Sequence, residues 1–222
     1  MKRKLHLTCF ILSLLFNQEG QAVDTAEIKF SEIYDKAIWG RNEEGLGYSG
    51  GGSSVKNAAA YMEFLQNFLK VNAIKSVVDV GCGDWTFSRY LDWNGIDYTG
   101  YDIVKNVIER NLVSFSTPSI QFIHGNAVHM DLPEADLLIC KDVLQHLSNE
   151  DVFFFLNQIH KFKYCLITND VDQTSMGGAN SQISSGGYRT LDLTAAPFNV
   201  DGINIFAYPS ESNLKQILLI MN

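Results

Sequence analysis

The sequence has few of the features that mark nucleic-acid-binding and membrane proteins. Lysine and arginine total 17 against 25 aspartates and glutamates, which gives a formal net charge of −8. No basic cluster occurs outside residues 1–4, although contact with a phosphate backbone needs such clusters. The apolar run at residues 5–16 is too short to cross a bilayer. We therefore expect no nucleic-acid partner, no stable membrane span, and a small molecule or a protein as partner.

Cysteine is scarce as well. The four cysteines form no C-x-x-C pair, which excludes a zinc ribbon and a thioredoxin-type redox motif. Cys140 and Cys165 fall in predicted strands, where a buried free thiol is the expected state. We predict no metal site.

The first 22 residues have the layout of a secretory signal peptide. Residues 1–4 are basic, residues 5–16 are mostly apolar, and the small residues Gly20 and Ala22 frame a cleavage point. A mistaken start codon and an apolar N-terminal helix are the alternatives. We expect a secreted or exported protein if this signal works, and a cytoplasmic one otherwise.

The length of 222 residues suits one domain with a full core. After the signal, residues 23–54 are predicted to form an N-terminal helix and a glycine-rich segment, and residues 55–222 the main domain. Six glycines fall among the fifteen residues 40–54, which no regular element tolerates. This segment predicts either a flexible linker or a mobile lid over an active site.

Apolar runs alternate with amphipathic segments along the main domain. This alternation predicts an α/β fold with a mostly parallel seven-stranded sheet and helices on both faces. The last two strands follow each other closely and must therefore form an antiparallel C-terminal hairpin. The predicted strands are residues 76–80, 98–102, 120–124, 136–140, 164–168, 203–208 and 214–221. The predicted helices are residues 26–39, 55–71, 85–91, 104–114 and 149–162.

The first predicted strand ends in a glycine turn, Gly81-Cys82-Gly83, that is expected to open into a helix. In a dinucleotide fingerprint a third glycine would follow, but here Thr86 takes its place. Asp84 would also repel a pyrophosphate at the N-terminus of that helix. The turn therefore predicts a ligand without phosphates.

Two further strand ends indicate a nucleoside. Asp102 lies 21 residues after Gly81 and would accept hydrogen bonds from both ribose hydroxyls. Its alternative role is to cap the following helix. Asn126 follows the third strand, where its side-chain oxygen would read an adenine amine, and a simple turn is the alternative.

The fourth and fifth strands also end in polar residues. Lys141, Asp142 and His146 follow the fourth strand, and Asp170 follows the fifth. Ligands bind outside the carboxyl ends of such strands. Together with Asp102, the two later aspartates predict an anionic crevice that suits a cationic cofactor such as a sulfonium. His146 could instead be a packing residue.

Residues 76–221 resemble the class I S-adenosylmethionine-dependent methyltransferases. Residues 78–84 are similar to their first motif, Asp102 to their ribose-binding acid, residues 136–147 to their fourth-strand motif, and the hairpin to their reversed final strand pair. The resemblance implies a Rossmann-like fold, S-adenosylmethionine as cofactor, and methyl transfer by in-line displacement. Many relatives have an acidic residue where Asn126 stands. The expected cofactor-binding residues are Asp79, Gly81, Cys82, Gly83, Asp102, Ile103, Asn126, Ala127, Lys141 and Asp142.

The acceptor of the methyl group is not identified by the sequence. An alcohol acceptor would need a general base, and His146 is the first choice because its ordinary pKa lies near neutrality, with Asp170 second. The residues expected to bind the acceptor are Trp39, Asn169, Tyr188 and Arg189, the last suited to a carboxylate or phosphate. An NAD(P)-dependent oxidoreductase and a non-catalytic Rossmann-like binding module are the alternatives. Export conflicts with a cytosolic cofactor, unless the protein acts in the cytosol of another cell.

Overall fold

The fold is known from a computed structural model that describes residues 24–171, 179–211 and 213–222. The predicted signal peptide, residues 1–22, lies outside the described residues and stays a prediction. Within the described ranges, no helix is long and apolar enough to span a bilayer.

The described chain alternates helices and strands in the predicted order. The α-helices are α1 (Thr25–Asp35), α2 (Val55–Val71), α3 (Lys105–Phe115) and α4 (Asn149–Leu156). The strands are β1 (Ser76–Val80), β2 (Asp97–Asp102), β3 (Ile120–His124), β4 (Ala135–Lys141), β5 (Phe162–Asp170), β6 (Ile203–Ser210) and β7 (Asn213–Met221). Single 3-10 turns lie at Gly51–Ser53, Ser88–Tyr90, Leu144–His146 and Ile159–Lys161.

One seven-stranded sheet has the order β3-β2-β1-β4-β5-β7-β6. Strands β1 to β5 pair in parallel, and β7 pairs antiparallel with both β5 and β6. The predicted mostly parallel sheet with a C-terminal hairpin is therefore confirmed. Because β7 runs in the opposite direction, its first residues lie beside the carboxyl end of β5, where Lys215 pairs with Asp170.

The core has two apolar layers, one on each face of the sheet. Val78 and Val80 of β1 pack into the layer that contains α1 and α4, whereas Val77 packs into the layer that contains α2. Phe30 of α1 is buried against the first layer. The N-terminal helix is thus part of the same core as the sheet.

The predicted helix at residues 85–91 is wrong. Trp85 has a φ of +56°, and only one 3-10 turn, Ser88–Tyr90, follows it. The indole of Trp85 is buried against Trp93 and Tyr98, and this aromatic packing outweighs local helix propensity. No α-helix N-terminus exists at Asp84, so the predicted repulsion of a pyrophosphate there has no basis.

Two other helices end earlier than predicted. α1 stops at Asp35 because Ala37 adopts a φ of +51°, and the chain turns away. α4 stops at Leu156, and β5 already begins at Phe162.

The glycine-rich segment, residues 40–54, packs against the rest of the domain. Gly47 lies so close to Tyr34 that a Cβ there would sit 1.9 Å from the Tyr34 carbonyl oxygen. Gly50 lies against the side chain of Trp39. The glycine-rich segment does not connect two separately folded parts of the chain, because α1 before it packs into the same core as the sheet. The interpretation of this segment as a flexible linker is therefore wrong.

Candidate active site

The glycine turn follows β1 with a backbone that glycine alone adopts readily. Gly81 and Gly83 have φ values of +72° and +57°. A Cβ on Gly81 would lie 2.3 Å from a methyl group of Val143, so the two chain segments approach closely. The amides of Gly81 and Cys82 donate to the carbonyl of Tyr101, at 2.8 and 3.0 Å, which ties the turn to β2.

Asp102 ends β2 beside this turn. One carboxylate oxygen accepts from the amide of Gly83 at 3.0 Å, and the other accepts from the amide of Val104 at 2.9 Å. The predicted capping role is wrong, because the N-cap residue of α3 is Val104, and Asp102 binds the amide of that residue rather than an amide of the helix. Burial raises the pKa of Asp102 to about 6, although both backbone hydrogen bonds lower it.

Asp79 lies on β1, and Tyr98 donates a hydrogen bond to its carboxylate at 2.7 Å. Burial raises the pKa of Asp79 to about 7, against the lowering effects of the Tyr98 hydrogen bond and the charge of Lys141. Asp102 raises it further. Two carboxyls on neighbouring strands therefore titrate near neutrality.

Asn126 lies on the turn after β3. Its amide nitrogen donates to the carboxylate of Asp24 at 2.6 Å, and its oxygen accepts from the amide of Val128 at 3.2 Å. Asp24 is also the N-cap of α1, with its other oxygen bound to the amide of Ala26. Asn126 is itself an amide, but the carboxylate of Asp24, from a distant part of the chain, lies directly beside it.

These groups surround a cavity at the carboxyl edge of the sheet, here called the sheet-edge cavity. It encloses about 1160 Å³, part of it open to solvent. All ten predicted cofactor-binding residues line it: Asp79, Gly81, Cys82, Gly83, Asp102, Ile103, Asn126, Ala127, Lys141 and Asp142.

Sequence reasoning missed the outer wall of the sheet-edge cavity. Ala26, Phe30 and Tyr34 of α1 line it, as does Ser49 of the glycine-rich segment. The apolar spacing that includes Phe30 and Tyr34 is typical of a helix with one buried stripe. It could not show that the stripe faces a cavity.

A second cavity, here called the adjacent cavity, encloses about 750 Å³ with open solvent included. Four residues line both cavities. They are Trp39, Ser49, Asp142 and His146. The remaining residues of the adjacent cavity are Gly50, Gly52, Gln145, Asp170, Tyr188, Ser210, Glu211, Asn213 and Lys215.

His146 lies at the junction of the two cavities. Its Nδ1 is 2.7 Å from the carbonyl oxygen of Gly187, which can only accept, so Nδ1 carries the hydrogen and Nε2 is the acceptor. The ring contacts those of Trp39 and Tyr188, with centroids 5.2 and 5.7 Å away. Burial lowers the pKa of His146, against the opposing effect of the Gly187 carbonyl, so the imidazole is neutral at pH 7.

The predicted anionic crevice is wrong in one respect, because two buried lysines neutralise its later aspartates. Asp142 binds the ammonium groups of both Lys141 and Lys215. Although burial raises the pKa of Asp142, the two lysines outweigh it and lower the pKa to about 2. Lys215 binds Asp170 as well, at 2.7 Å, so its one charge bridges β4 and β5. Asp79 and Asp102, in contrast, form no ion pair with a lysine among the described residues.

Asp170 is poorly placed to act as the base. Its carboxylate accepts from Lys215 at 2.7 Å, from Asn213 at 2.9 Å and from Tyr188 at 3.0 Å. Both oxygens of this carboxylate are thus already engaged by an ammonium group and two further donors. This leaves His146 as the better candidate.

Two of the four predicted acceptor-binding residues lie outside both cavities. Arg189 is buried and donates to the carbonyl of Leu147 and, at 3.0 Å, to the side chain of Asn149. Asn169 lines a separate small cavity with Leu191, because alternate residues of β5 point to opposite faces. Arg189 therefore holds a loop, and neither residue reaches the site. Trp39 and Tyr188 do line the adjacent cavity.

Comparison with known proteins agrees with this geometry. Residues 78–162 match the family profile of the methyltransferase domain. Magnesium protoporphyrin IX methyltransferase from Synechocystis PCC 6803, solved with bound SAM, superposes with a TM-score of 0.61. The match covers 90% of this chain and 98% of that chain at 14% identity. The chain has the class I methyltransferase fold. The resemblance predicted from its motifs is confirmed.

Other solved structures share this methyltransferase fold. The methyltransferase domain of bacterial CtHen1 is 16% identical, with a TM-score of 0.55 over 75% of this chain and 100% of that chain. DhpI in complex with SAH is 12% identical, with a TM-score of 0.55 over 76% of this chain and 87% of that chain. No curated protein matches the sequence of this chain.

The residues that line the sheet-edge cavity fit a nucleoside cofactor such as S-adenosylmethionine. The sheet-edge cavity supplies acids and close backbone approach, and His146 stands where it opens into the adjacent cavity. Within the described ranges, no group of three metal-ligating side chains comes together.

Proposed function

We propose that this protein is an S-adenosylmethionine-dependent methyltransferase that methylates a hydroxyl group of a small molecule. The observation that carries this proposal is the position of His146. Its acceptor nitrogen belongs to the one titratable imidazole at the junction of the two cavities.

The choice of cofactor rests on the sheet-edge cavity. Asp102 at the end of β2 would bind the ribose hydroxyls, and the glycine turn would let the methionine part approach the backbone. A dinucleotide fits less well, because a pyrophosphate is bound at the N-terminus of an α-helix and only a 3-10 turn, Ser88–Tyr90, follows this turn. Structurally similar methyltransferases that contain SAM or SAH support the same choice.

The reaction is a direct displacement at the methyl carbon. As the acceptor oxygen bonds to the methyl carbon, the bond between that carbon and the sulfonium sulfur breaks. The sulfur keeps the electron pair and becomes a neutral thioether. Nε2 of His146 takes the hydroxyl proton. Positioning supplies most of the rate, because the methyl group is already activated.

The residues around His146 support this role. The Gly187 carbonyl fixes the tautomer of His146, and the rings of Trp39 and Tyr188 pack against its imidazole. Tyr188 is itself fixed by its hydrogen bond to Asp170. In this arrangement Asp170 orients Tyr188 and Asn213 in the wall of the adjacent cavity.

A transfer assay tests the proposal. Purified protein is incubated with methyl-tritiated S-adenosylmethionine and a panel of small alcohols, phenols, amines and thiols. Transfer of tritium to each compound is measured together with the formation of SAH. We expect turnover with hydroxyl compounds and its loss in Asp102→Ala. Turnover confined to amines or thiols would contradict the proposed acceptor, and absence of SAH formation across the panel would contradict the proposal as stated.

A further inference from the structure

Residues 39–54, here called the wall segment, form part of the wall of both cavities. Trp39 and Ser49 line both cavities, Gly50 and Gly52 line the adjacent cavity, and Ser53 lines the sheet-edge cavity. One continuous stretch of chain therefore forms part of the boundary of each cavity.

The hydroxyl of Ser49 fastens this segment to the glycine turn. It accepts from the amide of Asp84 at 2.9 Å and donates to the carboxylate of Asp84 at 2.8 Å. Tyr34 of α1 lies 2.8 Å away and, since that hydroxyl already donates to Asp84, is the donor in the third bond. A Cβ on Gly83 would lie 2.2 Å from the Ser49 oxygen, so the serine sits directly on the turn.

The carboxylate of Asp84 accepts hydrogen bonds from two hydroxyl groups, those of Ser49 and Thr86. The same carboxylate oxygen that binds Ser49 also accepts from Thr86 at 2.7 Å, which fixes its orientation. No helix begins at this residue, and among the described residues no lysine or arginine forms an ion pair with it. A hydrogen bond to an ionised acceptor is stronger than one between neutral groups.

A second attachment of the wall segment lies two to three residues after Ser49. The carbonyl of Gly52 accepts from Lys141 at 3.2 Å, and the carbonyl of Gly51 accepts from Asn57 at 2.9 Å. Asp84 and Lys141, which anchor the wall segment, line the sheet-edge cavity, and Asn57 lies on α2. The adjacent cavity is therefore complete only while the wall segment is fastened.

We propose that Ser49 and Asp84 are positioning residues that fasten the wall segment over bound cofactor, and that the segment detaches for cofactor entry and product release. Refastening completes the adjacent cavity, so the cofactor binds before the acceptor. This inference rests on the proposed function, since it takes S-adenosylmethionine and SAH as the ligands of the sheet-edge cavity.

The dissociation rate of SAH tests the fastening. Stopped-flow tryptophan fluorescence follows the displacement of bound SAH by excess S-adenosylmethionine, because Trp39, Trp85 and Trp93 all line the sheet-edge cavity. Loss of a hydrogen bond to a charged group predicts dissociation about tenfold or more faster in Ser49→Ala and Asp84→Ala. The matched controls Ser116→Ala and Asp97→Ala change exposed residues outside both cavities and should leave the rate unchanged.

Hydrogen exchange distinguishes positioning from a general loss of stability. SAH should slow exchange of amides in residues 40–54 of the unsubstituted protein and should do so far less in Ser49→Ala and Asp84→Ala. Exchange of the β1 and β4 amides should be the same in all four variants. Faster exchange throughout the sheet would overturn the proposal in favour of a structural role.

Two further outcomes are decisive. If SAH binds and leaves at the same rate in all variants, the fastening role is wrong while the proposed function stands. If SAH does not bind the unsubstituted protein, the proposed function falls, and this inference falls with it.

Discussion

Asp79 and Asp102 are carboxyls that burial holds partly protonated near neutral pH. Their pKa values are raised to about 7 and about 6, whereas unfolded aspartate titrates near 4. The folded protein therefore binds more protons than the unfolded chain between these limits. A cationic ligand in the sheet-edge cavity would favour the ionised forms, so stability and ligand binding respond to pH in opposite directions.

The first prediction concerns the pH dependence of stability. Because these folded-state pKa values are raised, their contribution to stability is fully present below about pH 4 and is lost as pH rises through 6 and 7. Asp79→Asn should remove most of this dependence, worth on the order of 1–3 kcal/mol for a buried group. Urea unfolding midpoints at pH 5 and pH 8 measure it.

The unsubstituted protein must be compared with Asp79→Asn, because His146 changes the stability with pH in the opposite direction from Asp79 and Asp102. Its lowered pKa makes stability rise with pH below about 6.5, the ordinary value for histidine. A difference between Asp79→Asn and the unsubstituted protein that does not change with pH would contradict the assignment to Asp79.

The second prediction concerns the base. Since burial lowers the pKa of His146, the acid limb of the kcat profile should have its midpoint below the ordinary histidine value of about 6.5. His146→Gln should lower kcat with a hydroxyl acceptor by about 10²–10⁴-fold and should abolish that limb. The affinity for SAH should change little. Unchanged turnover in the variant would exclude His146 as the base.

The sequence predicted which residues lie at the ends of strands better than where the side chains of irregular segments point. His146 and Asp102 follow strands directly, so the end of a strand determines where they lie. Arg189 belongs to an irregular stretch, and its burial against Leu147 depends on how that stretch folds back over the domain. Ser49 also gave no local signal, since only its contact with Asp84 shows its role.

The β6–β7 hairpin connects the last part of the chain to the site. Antiparallel pairing of β7 with β5 brings Lys215 between Asp142 and Asp170. Burial alone would lower the pKa of this lysine, but the two carboxylates outweigh it and raise the pKa. The hairpin thus supplies the charge that permits two buried carboxylates to stand side by side.

The third prediction follows from that charge. Lys215→Met leaves the carboxylates of Asp142 and Asp170 short of a buried cation and should cost about 3–5 kcal/mol of unfolding free energy. Lys163→Met, on an exposed side chain of β5, should change stability by about 0.5 kcal/mol or less. Urea denaturation of both variants gives the comparison. Equal stability of the two would show that Lys215 is not needed to balance the carboxylates.

Strands were more predictable than helices. The run of β-branched residues places β1 at its observed bounds, because both faces of a central parallel strand are buried. The edge strand β3 is only partly buried, yet it too has its predicted bounds. The stretch after the glycine turn carries apolar residues at helical spacing as well. It is not a helix because Trp85, Trp93 and Tyr98 pack together, a tertiary contact that periodicity does not reveal.

The whole domain includes α1, which lies outside the matched methyltransferase profile at residues 78–162 but packs into its core. Its N-cap is Asp24, two residues after the predicted cleavage point at Ala22. Removal of a signal peptide would therefore leave α1 complete. Removal of α1 would take away Phe30 and Tyr34, which line the sheet-edge cavity.

The fourth prediction concerns this end of the chain. If residues 1–22 are a signal peptide, N-terminal sequencing of protein expressed with them should find Val23 as the first residue. A variant that begins at residue 23 should keep the affinity for SAH, whereas one that begins at residue 36 should lose it. Intact Met1 on protein recovered from outside the cells would contradict the signal peptide.

Binding of the cofactor tests the account most directly. Isothermal titration calorimetry of protein lacking residues 1–22 should show binding of S-adenosylmethionine and SAH and no binding of NADH. Asp102→Ala should weaken both by roughly 1.5–3 kcal/mol through loss of hydrogen bonds to the ribose. Folded protein that binds neither S-adenosylmethionine nor SAH, or that binds NADH instead, would contradict the central claim.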